Sequence, residues 1–248
     1  MKINQEIDIK SLDDLLICRR NELSPRGVIY SEGLKGYLEY RTKPKHFHVE
    51  QPYRNGKRMN IFKWYLYLYD MDEDEISSGD IIVNCWSYLR RFVEAKFSHS
   101  SGLDEYALDN LDKLFVGYEY LIPLFNKLSN LHHSLANMMP APNGFNNCRK
   151  CEFRGKGDFK LDNDMPDLFY QRAENDCPFL KEWIDNNMER YSLEIFKTFN
   201  SMQSNGYAIR SKLDITDKKS MLDYVKSIEL AIEAIEDRAK LIYDRRLK

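Results

Sequence analysis

The chain of 248 residues carries 37 basic and 39 acidic side chains, and a formal net charge of −2 excludes a global field that would concentrate it on nucleic acid or an anionic membrane. Aromatic residues make up 13%, which excludes the disordered class and supplies apolar bulk for a core that needs no covalent staple. Cys18, Cys85, Cys148, Cys151 and Cys177 form no regular disulfide ladder, and no apolar leader or long uncharged apolar run is present, so the expected setting is a reducing cytoplasm with no membrane insertion.

In chain order, Ser11 as N-cap and Asp14 three residues later predict a helix through Leu12, Leu15, Leu16 and Cys18 that stops near Asn21. A turn at Ser24-Pro25-Arg26-Gly27 leads to a helix over residues 30–41, weakened by Gly33 and Gly36. Residues 44–56 read as loop, and the alternation His46-Phe47-His48-Val49 together with Asn55-Gly56 also fits a hairpin. The aromatic-rich run over residues 61–69 suits a buried strand and a buried helix equally. Ser78-Gly79-Asp80 reads as the cap of a helix over residues 81–97, with Ile82, Cys85, Trp86, Leu89, Phe92 and Val93 on its inward face.

Residues 103–128 carry two helical patterns joined around Gly117 and Pro123. From His132 to Asp164 glycine, asparagine and proline interrupt every short pattern, which predicts a long irregular segment and the first place to look for a recognition surface. Helices return at Asp164-Met165-Pro166, at Asp176-Cys177-Pro178 and at Ser192, and residues 216–246 carry a 3.6-period apolar stripe from Met221 to Ile242. The expected fold is mainly α, a single helical domain over residues 1–248 around the irregular segment 132–164, with a small β element in the N-terminal half.

Three groups of residues could carry chemistry. Cys148-Arg149-Lys150-Cys151 has the spacing that lets two thiolates bind one zinc ion, and Cys177 with His132 or His133 would complete a tetrahedral set. The competing reading is two loop cysteines without a ligand, because no second CxxC follows. Arg149, Lys150, Arg154, Lys156 and Lys160, interleaved with Phe153 and Phe159 and preceded by Asn143 and Asn146, could hold a nucleotide or single-stranded nucleic acid; Asp158, Asp162 and Asp164 dilute the patch toward an ordinary solvated loop. His133 and Asn137, four apart, share a face if helical. They could act as a catalytic pair, or organise a buried polar network that pins a loop to helices, which is the favoured reading. His46 and His48 read either as a metal pair on a strand or as solvated loop side chains.

The segment from Leu128 through His133-Ser134-Leu135-Ala136-Asn137 to Pro140-Ala141-Pro142 and Asn146 resembles a family of bacterial and prophage proteins with no assigned activity. Its pattern is His-(Thr/Ser)-(Ile/Leu)-Gly-Asn-Phe running into Pro-x-Pro, then an Asp-x-x-Asp-Leu helix, matched here by Asp164, Asp167 and Leu168, and an arginine in a C-terminal helix, matched by Arg238; Ala136 stands where glycine is usual. The resemblance spans residues 128–246 and implies a mobile-element context. The same histidine segment is similar to HNH-type nuclease domains, in which a histidine base and an asparagine work around a divalent metal, places that His133 and Asn137 would take. The acid-histidine dipeptide that opens the nuclease motif has no counterpart, since His99 follows Ser98.

The leading functional expectation is an interaction or sensing module of a mobile element, acting in defence or counter-defence through a protein partner. A metal-dependent HNH-like nuclease and a nucleotide or small-molecule binder using residues 149–160 are the alternatives. No P-loop, nucleophile elbow or dinucleotide fingerprint is present, which lowers the prior for an enzyme.

Overall fold

A computed structural model describes residues 9–22, 28–42, 53–54, 57–58, 60–72, 75, 78–98, 101–141, 178–198 and 213–248. The fold is mainly α with a small β component. α1 (Leu12–Leu16) opens with the expected capping box, in which Asp14 N donates to Ser11 Oγ at 3.2 Å and Ser11 N donates to Asp14 Oδ2 at 2.8 Å. It ends well short of Asn21. The chain becomes extended at Ile17, and Arg19 N donates to His133 O at 3.0 Å, so a distant carbonyl takes the donor that helix continuation would have used.

α2 (Gly33–Thr42) contains both glycines that weaken its propensity, and each has a steric reason. Gly33 sits at φ +72°, and a Cβ on Gly36 would lie 1.6 Å from Ser31 O. Two short strands, β1 (Tyr53–Arg54) and β2 (Lys57–Arg58), pair antiparallel on either side of Asn55-Gly56, with Tyr53 opposite Arg58. His46 and His48 lie outside the described residues.

The ambiguous run is a helix, α3 (Asn60–Tyr69). Ile61, Phe62, Trp64, Tyr65, Leu68 and Tyr69 are buried while Tyr67 is exposed, an inward face at helical spacing that an alternating strand could not make. The expected cap at residues 78–80 is instead β3 (Ser78–Ile81), and α4 (Cys85–Phe97) starts later, capped by Asn84 Oδ1 accepting from Trp86 N at 3.0 Å. The partner of β3 is remote in sequence, so a tertiary pairing overrides the local capping signal.

α5 (Leu103–Asp109), α6 (Leu111–Leu114), a 3-10 turn at Glu119–Leu121 and α7 (Ile122–Leu131) follow, broken near Gly117 and restarted with Pro123 in the first turn as expected. Residues 132–141 correct the expected start of the irregular segment. They form a turn, a 3-10 helix at Leu135–Asn137 and β4 (Met138–Ala141), which pairs antiparallel with β3 from Ser78 opposite Ala141 to Ile81 opposite Met138. Pro140 is tolerated because, among the described residues, one side of β4 carries no ladder.

α8 (Pro178–Asn187) begins at its predicted proline. Ser192 adopts φ +52° within a turn rather than starting a helix, and residues 195–198 are helical. α9 (Lys218–Arg246) is capped by Asp217, whose side chain accepts from Ser220 N. Its stripe Met221, Tyr224, Ile228, Ala231, Ile232, Ile235, Ala239 and Ile242 is buried as the periodicity requires. α7 packs against α2, α4 and α9, and one apolar cluster runs from Ile9 to Ile242. Among the described residues no helix is long and apolar enough to cross a membrane.

Candidate functional site

Residues 131–141 are buried without a break, although they include His132, His133, Ser134 and Asn137. Three polar side chains hold this segment, one from each third of the chain. Arg20 enters from the extended stretch after α1. Its Nε donates to His133 Nδ1 at 3.2 Å, Nη1 to Ser31 O at 3.1 Å and Nη2 to Ser129 O at 2.8 Å. Gly36 makes the approach possible, since a Cβ there would stand 3.0 Å from Arg20 Nη1.

Asn137 works in place as an artificial strand partner for Val83. Its Oδ1 accepts from Val83 N at 2.8 Å and its Nδ2 donates to Val83 O at 2.8 Å, with a further bond from Nδ2 to His132 O at 3.1 Å. Ile82 N donates to Asn137 O at 2.9 Å, so the β3–β4 pairing continues one step past the strands. His133 and Asn137 therefore take part in the buried network that was the favoured reading, but each bonds to other groups and not to its mate.

Arg238 arrives from α9 and is 1% exposed. Nη1 donates to Ala136 O at 2.6 Å and Met138 O at 3.0 Å, Nη2 to Tyr191 O and Tyr69 Oη at 2.8 Å, and Nε to Ser192 O at 3.0 Å. The fork geometry of guanidinium lets one side chain join α9 to two otherwise separate loops. Tyr65 Oη adds a bond to Met139 O at 2.9 Å.

Electrostatics keep both histidines neutral. Burial, helped by Arg20 and Arg41, pushes His132 down to about 3. Burial likewise holds His133 well below the ordinary imidazole range, with His132 and the two arginines acting in the same direction. His132 Nδ1 accepts from Cys85 N at 3.2 Å, which satisfies a first-turn donor of α4. The Cys85 thiol is raised to about 12 by burial and is not a thiolate at neutral pH.

These facts fix what the cluster can do. A general base needs a free lone pair within reach of substrate. The Nδ1 of His133 is occupied by Arg20, its ring is fully buried, and every polar atom of Asn137 is engaged in main-chain contacts. Of the expected zinc ligands, His132 and its alternative His133 are in the described residues, and their Nδ1 atoms accept from Cys85 N–H and Arg20 Nε–H. Cys148, Cys151 and Cys177, like the expected binding residues Asn143, Asn146, Arg149, Lys150, Arg154, Lys156 and Lys160, lie outside the described residues. Among the described residues no group of three or more His, Cys, Asp or Glu is arranged to hold a metal.

The sequence reading missed Arg20, Tyr37 and Arg41. Arg20 and its acceptors are separated by up to 113 residues, so no local period marks it. The signal that could have pointed there is Gly36, a glycine inside a helix that must admit something bulky. Comparison with protein-family models, with curated proteins and with solved structures gives no match to this chain.

Proposed function

We propose that the chain is an interaction or sensing module in which the braced residues 131–141 anchor the following stretch, 142–164, for recognition of a protein partner. The observation that carries this reading is the convergence of Arg20, Asn137 and Arg238 on that one segment. Their bonds end on main-chain groups, the Tyr69 hydroxyl and a neutral imidazole, so the polar atoms are engaged in positioning. A recognition element needs such a rigid base, because each ordered residue otherwise loses about 1–2 kcal/mol of conformational entropy on binding. The basic and aromatic residues 149–160 follow this base in the sequence. A mobile-element role in defence or counter-defence rests on the resemblance at residues 128–146.

Catalysis at His133 receives no support from its burial and its engaged Nδ1. The test is a photo-crosslinking amino acid placed at Phe153, with Leu222, exposed on α9, as the control position. A discrete crosslinked protein at Phe153 and none at Leu222 is expected, unchanged by His133→Gln in a chain that still folds. Equal labelling at both positions would overturn the reading. So would cleavage of labelled DNA that requires a divalent metal and is lost with His133→Gln, which would restore the nuclease.

A further inference from the structure

Local and global charge part company in one stretch of the chain. Against a net charge of −2, residues 51–69 carry Arg54, Lys57, Arg58 and Lys63 and no acidic residue, whereas residues 149–160 interleave their cations with Glu152 and Asp158. The nearest acids that follow are Asp70, Asp72 and their neighbours up to Glu75. α3 separates them from the basic stretch, and its ten residues span about 15 Å, nearly twice the screening length of about 8 Å at physiological ionic strength. Glu75 is moreover engaged by Arg190 at 2.9 Å. These acids therefore leave the charge of the β1–β2 ribbon uncompensated.

Two rules of charge placement are broken at the ribbon. Its register sets Arg54 opposite Lys57, and like charges directly opposite across an antiparallel pair repel. Met59 alone separates β2 from α3, so Lys57 and Arg58 precede the positive end of the α3 dipole, while Asp70 and Asp72 follow its negative end. Each placement costs local stability, and such exceptions gather where a sequence serves binding instead of folding. An anion held against the ribbon relieves the repulsion at the cross-strand pair and at the helix start together.

We infer that the β1–β2 ribbon is a contact for the phosphates of duplex nucleic acid, with Arg54, Lys57 and Arg58 supplying the charge. A two-stranded ribbon is narrow enough to enter a duplex major groove. Arg54-Asn55-Gly56-Lys57-Arg58 contains no apolar residue to insert into a bilayer or to form the dry centre of a protein interface, so a regularly charged backbone is the partner this chemistry fits. Phosphate contacts carry no base information, and binding is accordingly independent of sequence. This contact is separate from the partner-recognition reading above, which stands or falls on residues 142–164.

The experiment titrates the full chain into a fluorescently labelled, mixed-sequence DNA duplex and reads anisotropy between about 50 and 200 mM salt. Three phosphate contacts give log affinity a slope on log salt of about −2.7, a fall of roughly fortyfold over that range. Arg54→Gln/Lys57→Gln should leave a slope of about −0.9, and Arg54→Lys/Arg58→Lys, which keeps the charges, should retain the native slope. Arg149→Gln/Lys150→Gln is the control and should bind as the native chain does. Helical dichroism checks folding; should the double glutamine variant lose it, Lys57→Gln alone takes its place, with the slope reduced in size by about 0.9. No binding at the lower salt, a slope unmoved by the ribbon substitutions, a loss confined to the control variant, or binding to phosphatidylserine vesicles in place of the duplex would each overturn the inference.

Discussion

At the scale of single residues, two buried arginines without carboxylate partners among the described residues do the organising, and Arg238 is the sharper case. Its donors reach main-chain oxygens at 136, 138, 191 and 192 and the hydroxyl of Tyr69. Replacing it with methionine fills the space of the stem and leaves several buried carbonyls unpaired, a loss on the order of 3–5 kcal/mol. Arg238→Lys should recover little, because an ammonium cannot serve two loops at once. Urea midpoints check both, and a lysine variant as stable as the native chain would show that charge, not fork geometry, matters. The histidines set the acid limit. His132 is held near 3 when folded and returns to about 6.5 when unfolded, so between these values the unfolded chain binds the extra proton. Its contribution is complete above about pH 6.5 and falls by roughly 2 kcal/mol by about pH 5, and His133, depressed in the same direction, adds to the fall. Asp14, lowered first by the Lys10 backbone N–H, and Glu75, lowered first by Arg190, titrate at lower pH and do not blur this window. Denaturation at several pH values is the check, and a flat profile from neutral to pH 5 would contradict a buried neutral pair.

At the scale of elements, α2 shows how a helix can be capped from outside. It begins on a glycine, and its first donors are taken by α7: Gly33 N donates to Asn130 Oδ1 at 2.7 Å and Leu34 N to Asn126 Oδ1 at 3.0 Å. The two asparagines are four apart, so one face of α7 caps α2. Asn126→Ala and Asn130→Ala should each lower stability by about 1 kcal/mol and act non-additively, since they serve one helix end. Gly36→Ala should be far worse, because its Cβ would sit 1.6 Å from Ser31 O and displace the chain that carries Arg20 past α2. Thermal unfolding of these three variants ranks them, and a Gly36→Ala protein of native stability would refute the close approach. The same elements mark what the sequence could disclose. α9 and α1's capping box are local patterns, a 3.6 period and a Ser-x-x-Asp pair, and both were legible. α3 was not, because six of its ten residues are aromatic or β-branched and only the burial of its neighbours separates helix from strand. β3 and β4 were missed since their signal is the pairing itself: Ser78-Gly79-Asp80 looks like a cap, and Met138-Met139-Pro140-Ala141 has no alternation because both of its faces are buried.

At the scale of the whole molecule, the candidate site was half legible. His133 and Asn137 stood out by residue type and spacing, whereas the partners that give them their roles, Arg20 and Val83, come from positions 113 and 54 residues away. Those long connections have an energetic consequence. Arg20 ties the N-terminal stretch to α7, Asn137 ties the turn before β4 to Val83 while His132 caps the start of α4, and Arg238 ties α9 to residues 136–138 and 191–192, while the apolar cluster continues from Ile9 to Ile242. All three contacts converge on residues 131–141 within that one cluster. Unfolding should therefore be one transition across the described elements. Tryptophan fluorescence samples Trp64 on α3, Trp86 on α4 and Trp183 on α8, far-ultraviolet dichroism samples all helices, and the two urea curves should superimpose. Arg20→Met should shift both curves together by several kcal/mol without separating them. Two resolved transitions in the native chain, or an Arg20→Met chain in which α9 outlasts the fluorescence change, would mean that the N-terminal and C-terminal helices fold as distinct units and that residues 131–141 are a joint between them instead of a common base.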